Sequence, residues 1–277
     1  MRRLLPLLLS ACSLDETGLG SDAATSADVV SSKDVTVVDA SADAGTDAIA
    51  ADVFEASADA QAACEAVCKA PNATCVNGVC VFDCTANAAC LTKTTCPANV
   101  PCEVDCGFTS CGDIDCSKAS ACKIDCAGNG GSECSGTITC GGSNCDLHCG
   151  YLSCSKDITC TAQTCNVTCD TNACKANVNV GGQNATVTCG DQACSGNVTC
   201  TAATKCDVTC AGNPSCSGTV SSAAQTSTLC CTGAGACAGK VSCGQLSCEI
   251  GCTNSGSCPA GTSCTAKTCV LDASTCP

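Results

Sequence analysis

From Cys64 onward, cysteine returns in this 277-residue chain with a period of 20 to 23 residues and four places in each period. The clearest copy reads Cys206-Asp-Val-Thr-Cys210, a turn, then Cys216-Ser-Gly-Thr-Val-Ser-Ser222. Naming the four places a, b, c and d, the a places are Cys80, Cys102, Cys122, Cys145, Cys165, Ala185, Cys206, a position near Ser227, Cys248 and Cys269. A fixed period of this length marks a repeat architecture, in which each unit buries its apolar face only against its neighbours. Few other folds are open to the chain. Leu, Ile, Val and Phe together supply only 43 of its residues and there is no Trp, too little for an ordinary aliphatic and aromatic core.

Side-chain parity turns each period into two short strands. In Cys206 to Cys210, alternation puts Cys206, Val208 and Cys210 on one face and Asp207 and Thr209 on the other. In Cys194 to Cys200 it groups Cys194, Gly196, Val198 and Cys200. Two aliphatic series follow. One is Phe82, Val104, Ile124, Leu147, Val167, Val187, Val208 and Ile250; the other includes Ile138, Ile158, Val178, Val198, Val220 and Val241. Stacking places like on like. The expected fold is all-β, a short-stranded, disulfide-stapled β-solenoid of about nine coils with repeats of roughly 21 residues, about 43 Å long at the usual strand spacing. Residues 64–79 read as an N-terminal cap, and 80–277 as the repeats with a C-terminal cap. The architecture resembles that of the small disulfide-filled solenoids of insect antifreeze proteins, without their Thr-Cys-Thr repeat.

The repeat contains its own test of cysteine pairing. Where d is Val180, the next a place is Ala185; where d is Ser222, the next a place, Thr226 or Ser227, again lacks cysteine. Joint loss is expected if d bonds the following a across the turn between them. That rule pairs Cys96–Cys102, Cys116–Cys122, Cys140–Cys145, Cys160–Cys165, Cys200–Cys206, Cys243–Cys248 and Cys264–Cys269. By symmetry b bonds c: Cys84–Cys90, Cys106–Cys111, Cys126–Cys134, Cys149–Cys154, Cys169–Cys174, Cys189–Cys194, Cys210–Cys216, Cys231–Cys237 and Cys252–Cys258. Cys68–Cys75 fits the b–c rule as well, leaving Cys64, Cys80, Cys230 and Cys276 unassigned. Each small ring is worth about 2 kcal/mol through the unfolded state, and many of them replace the missing core.

The chain opens Met1-Arg2-Arg3, then a run of Leu and Pro, then Leu9-Ser10-Ala11-Cys12. A basic start, a short apolar run and small residues before a cleavage point are the anatomy of an export signal. Leu9 to Cys12 resembles the lipobox of bacterial lipoproteins. That resemblance implies removal of a signal peptide, residues 1–11, and acylation of Cys12. It also implies a membrane partner through the lipid and a place in the cell envelope, as an outer-membrane lipoprotein facing the exterior or the periplasm. Removing Cys12 from the 39 cysteines leaves an even number. Residues 12–63 hold no further cysteine and carry 11 acids against Lys33 alone. They read as a disordered, self-repelling tether.

Composition and spacing exclude several functions. A net charge of −14 argues against nucleic acid. There is no Cys-x-x-Cys and a single histidine, His148, so neither thioredoxin-type redox chemistry nor a zinc site is expected. No catalytic triad or phosphate loop appears, and no catalytic, cofactor or metal residue is assigned. Asp83, Asp105 and Asp125 form an outward column that reads as a solvated acidic edge, with Ca²⁺ the sharper alternative. Thr137-Ile-Thr139 and Thr219-Val-Ser221 hint at a Thr face, which Asp157, Asn177, Asn197 and Lys240 interrupt. The sequons at Asn72, Asn166, Asn184 and Asn197 read as by-products of the strand pattern. The resulting expectation is a non-enzymatic, lipid-anchored, surface-exposed structural or adhesive protein with a glycan or protein partner. The alternatives are a solenoid that binds Ca²⁺, ice or glycan, and a cysteine-rich metal-binding protein.

Overall fold

The computed structural model describes residues 58–85, 90–107, 111–127, 133–253, 256–271 and 276. The readings made for Cys12 and for residues 1–57 lie outside these. The chain is an all-β solenoid with two parallel faces. The long face carries strands Val79–Cys84, Cys102–Cys106, Cys122–Cys126, Asn144–Cys149, Thr164–Cys169, Asn184–Cys189, Lys205–Cys210, Thr226–Cys231, Ser247–Cys252 and Thr268–Val270, hydrogen-bonded in that order. The short face carries nine strands, from Thr94–Thr95 through Ile158–Cys160 and Val198–Cys200 to Thr262–Cys264, also in chain order. Nine strands make eight inter-strand steps, about 38 Å of rod.

The register sets like on like. On the long face Cys165, Ala185, Cys206, Ser227 and Cys248 align in one column, and Val167, Val187, Val208, Leu229 and Ile250 in another. On the short face Ile138, Ile158, Val178, Val198, Val220 and Val241 align. Strand burial alternates as period-2 parity requires, with the aliphatic and cysteine positions buried and the residues between them partly exposed. Both aliphatic columns are buried along their length. The hydrogen-bond ladder also runs through the turns: Asp170 N–H donates to Cys149 O, Gly190 N–H to Cys169 O and Thr232 N–H to Cys210 O. This meets the requirement that buried backbone groups be paired.

At the N-terminal end the structure departs from the sequence reading. A helix, Ala58–Val67, occupies residues 58–63, which were expected to belong to the tether. It packs on a hairpin in which Ala73–Val76 pairs antiparallel with Val79–Cys84 around the Asn77-Gly78 turn. Tertiary anchors hold this short helix. The side-chain carbonyl of Gln61 accepts the Gly78 N–H at 2.8 Å. Cys64 and Cys68, four residues apart and so on one helix face, bond to Cys75 and Cys80. The expected Cys68–Cys75 pair is therefore wrong. The b–c rule belongs to a strand–turn unit, and Cys68 sits at the end of a helix instead. At the other end of the rod, Leu271, the position after the last long-face strand, is 66 % exposed.

Coil-on-coil packing leaves no room for a side chain at several glycines. Gly182 has φ +82°, and a Cβ there would lie 1.7 Å from the carbonyl oxygen of Ala162 in the preceding coil. Gly261 has a similar φ, +88°, with open space around it. Gly182→Ala is expected to cost about 3 kcal/mol, from backbone conformation plus overpacking, and Gly261→Ala about 1 kcal/mol from backbone alone. Urea unfolding of the two variants checks the difference; equal losses would mean that the coils do not stack as closely as described.

Candidate functional site

Nineteen disulfides take up every cysteine from Cys64 onward. Sixteen of them close turns within a coil and stand in two columns. The b–c column is unbroken, from Cys84–Cys90 through Cys149–Cys154 and Cys210–Cys216 to Cys252–Cys258. Its Cα–Cα distances run from 5.5 to 6.1 Å, inside the range a disulfide spans without moving backbone. Four consecutive turns of this column share a conformation that sequence reasoning did not find. Cys154, Cys174, Cys194 and Cys216 all have positive φ, as do Leu152, Asn172 and Gln192 two residues before three of them. Glycine would be easier at the c place but carries no sulfur.

The d–a column is interrupted twice. Val180 and Ala185 fill the first gap with apolar side chains, both buried. Ser222 and Ser227 fill the second. Their hydroxyls hydrogen-bond to each other at 2.7 Å, and Ser222 Oγ also accepts the Ala224 N–H at 3.3 Å. A buried polar pair is tolerated here because each hydroxyl satisfies the other. Of the cysteines left unassigned from sequence, Cys230 bonds Cys276 across 46 residues. Cys230 stands in the outward column between Thr209 and Gly251, so its partner had to come from outside the repeat. Cys276, the one cysteine beyond the last a place, was available for it.

Sulfur atoms of neighbouring coils gather in groups of three within 4.8 Å, among them Cys84, Cys90 and Cys111. All of these sulfurs belong to disulfides, which are not the thiolates that metals take.

The long face is charged in its first half. Asp83, Asp105, Asp125 and His148 align. Two of these three carboxylates, Asp83 and Asp125, already accept local hydrogen bonds. Asp83 accepts from Thr85 N–H at 3.0 Å and Thr85 Oγ1 at 2.6 Å, which holds its carboxyl below the usual range. Asp125 accepts from Ala127 N–H at 2.9 Å. His148 lies between Asp125 and Asp170, its ring nitrogens 3.4 and 3.0 Å from their oxygens. Lys123 pairs with Glu103 on this face, while the Lys93–Asp115 pair, at 2.7 Å, belongs to the short face, where Asp115 precedes Thr139 in the outward column.

The short face is different in character. From Thr139 its outward column runs Thr159, Asn179, Thr199, Ser221, Ser242 and Ser263, one per coil in strict register and without a charge. Beside it runs a ladder in which a side-chain carbonyl or carboxylate accepts the next coil's backbone N–H. Asp157 accepts from Asn177 at 3.0 Å, Asn177 from Asn197 at 3.1 Å and Asn197 from Thr219 at 2.9 Å. Three of the four residues that interrupt a Thr array in the sequence, Asp157, Asn177 and Asn197, thus support the strand entry. A shallow groove opens towards the C-terminal end, lined by Ser222, Ser242, Gly244, Gln245, Ser263 and Thr265.

No helix among the described residues is long and apolar enough to cross a membrane. Comparison with protein-family models, curated proteins and solved structures finds no match.

Two expectations follow. Ser222→Ala strands the Ser227 hydroxyl in the core and should cost about 1–3 kcal/mol, whereas Ser222→Cys with Ser227→Cys should close a further disulfide and restore or exceed wild-type stability by about 2 kcal/mol. Intact mass and thermal melts report both. The second concerns acid. Hydrogen bonds from Lys93 and Ser117 hold the Asp115 carboxyl down to about 2, so its stabilising contribution is complete above the unfolded value of about 3.9 and fades as pH falls towards 2. Desolvation, with Glu103 next, pushes the Asp105 carboxyl up, so its ionisation opposes folding at neutral pH and the opposition is relieved on acidification. Asp115→Asn should therefore destabilise at pH 6 and become neutral near pH 2, while Asp105→Asn should stabilise at pH 6. Melting curves across that range check the opposite signs.

Proposed function

We propose that this chain is a non-enzymatic, lipid-anchored structural or adhesive protein of the bacterial cell envelope, a stapled rod whose short face meets glycan or protein on a neighbouring surface. The observation that carries the reading is the uncharged column from Thr139 to Ser263, one hydroxyl or amide per coil, ending in the hydroxyl-lined groove around Ser242. Evenly spaced donors and acceptors on a rigid backbone suit neutral polar polymers, whose hydroxyl groups also recur at intervals. Rigidity lowers the ordering cost of such contacts, and short disulfides in every coil provide it. The lipobox-like Leu9 to Cys12 segment supplies the anchor in this reading, and the acidic stretch to residue 57 holds the rod away from the membrane. Ca²⁺ is a weaker candidate ligand, because two of the three aligned carboxylates of the long face, Asp83 and Asp125, already accept hydrogen bonds from Thr85 and Ala127.

The test joins anchor and face. Cys12→Ser should move the full-length protein from the membrane fraction to the soluble one. Ser242→Arg with Ser263→Arg should lower binding of the oxidised protein to a glycan array or to whole cells at least tenfold with no change in melting temperature. Turnover in a broad hydrolase screen, or surface binding that ignores the double substitution, would refute the reading.

A further inference from the structure

In the b–c column the disulfides Cys84–Cys90, Cys106–Cys111, Cys126–Cys134 and Cys169–Cys174 each have a sulfur of an adjacent coil beside them. Cys149, Cys169 and Cys174 have all three sulfurs within 4.8 Å of one another, as do Cys126, Cys134 and Cys154. The parallel register sets Cys149 directly opposite Cys169. Opposed residues on paired strands lie about 4.8 Å apart, within the Cα range of a disulfide. The same backbone therefore accommodates bonds across coils as well as along them. We infer that the b–c column is a thiol–disulfide exchange path, along which a thiolate formed at one coil is handed to the next by side-chain rotation.

The steps balance without an oxidant. If Cys169 is a thiolate, it attacks Cys149 Sγ; the Cys149–Cys169 bond forms, the Cys149–Cys154 bond breaks, and Cys154 leaves as thiolate. Cys154 then attacks Cys134, forming Cys134–Cys154 and releasing Cys126. One thiolate is consumed and one produced at each step. The initiating event in the native protein is attack by an external thiol on Cys252–Cys258, whose cysteines are only partly buried, whereas the other half-cystines of the column are buried. The d–a column differs at Cys200–Cys206, because the flanking a places are Ala185 and Ser227 and the flanking d places are Val180 and Ser222. A thiolate there has no neighbouring disulfide in its column, and Cys210, four residues along the same strand, is about 13 Å away. The interruptions insulate that coil.

Two full-length variants decide the matter. Cys174→Ser leaves Cys169 as the single thiol of the column, and Cys200→Ser leaves Cys206 as the single thiol of the insulated coil. Each is incubated anaerobically in native buffer, quenched with acid, unfolded, alkylated and mapped. In the first variant label should appear at Cys154 and Cys126, at a rate independent of protein concentration and rising about tenfold per pH unit below the thiol pKa. In the second, label should stay on Cys206, with at least tenfold less migration. If Cys174→Ser does not fold, Cys154→Ser starts the exchange from Cys149 and should release Cys174. Label confined to the starting cysteine in the folded b–c variant, or spreading equally from Cys206, overturns the inference.

Discussion

The fold depends on a disulfide across each turn, stacked on the same disulfide of the next coil. A solenoid of this cross-section has room for about one aliphatic side chain per strand on each inner face, Val187 and Val198 for example. So thin a core offsets little chain entropy. The half-cystines contribute twice. They reduce the freedom of the unfolded chain, and as compact apolar groups they fill the corners of the coil where strand becomes turn. The left-handed backbone at Cys154, Cys174, Cys194 and Cys216 follows from this. The turn takes the conformation that brings the sulfur back to its partner, at a conformational cost that glycine would have avoided.

The two interruptions show what the disulfide replaces. Val180 with Ala185 supplies the apolar volume alone, and Ser222 with Ser227 supplies a cross-turn link in the form of a hydrogen bond. Each keeps one property of the cystine and gives up the other. Neighbouring coils tolerate this because the register is held by the backbone ladder and by the aliphatic columns on either side. The b–c corner has no such interruption. Four of its turns carry a positive-φ cysteine, and a free corner there would have neither the sulfur nor an easy backbone to hold it.

Parity separates structure from display. Inner positions vary only among Cys, Val, Ile, Leu, a single Phe at Phe82 and a few small residues, while the outward positions beside them run from Glu103 and Lys123 on one face to Thr139 and Ser263 on the other. A scaffold stapled from within allows its surface to change without loss of fold. The outward surface is nonetheless partly structural: Asp157, Asn177 and Asn197 accept backbone N–H groups of the next coil. What remains for contact is the flat hydroxyl and amide column and its groove, which is why the adhesive reading rests there.

The sequence by itself determined the repeat, its two strands, the inner and outer parity and the logic of the turn pairs. All of these are local or periodic: alternation of Cys and Val reports a buried face, and joint loss of d and a reports a bond between them. The tertiary structure alone decided the ends and the off-pattern contacts. The helix at Ala58–Val67 has little to mark it locally and is held by Gln61, Cys64 and Cys68 reaching residues more than ten positions away. Cys230 finds Cys276 across 46 residues, a closure that no repeat rule contains. The Asp/Asn ladder likewise exists only once the coils are stacked, because its donors and acceptors are a full period apart in sequence and adjacent only in space.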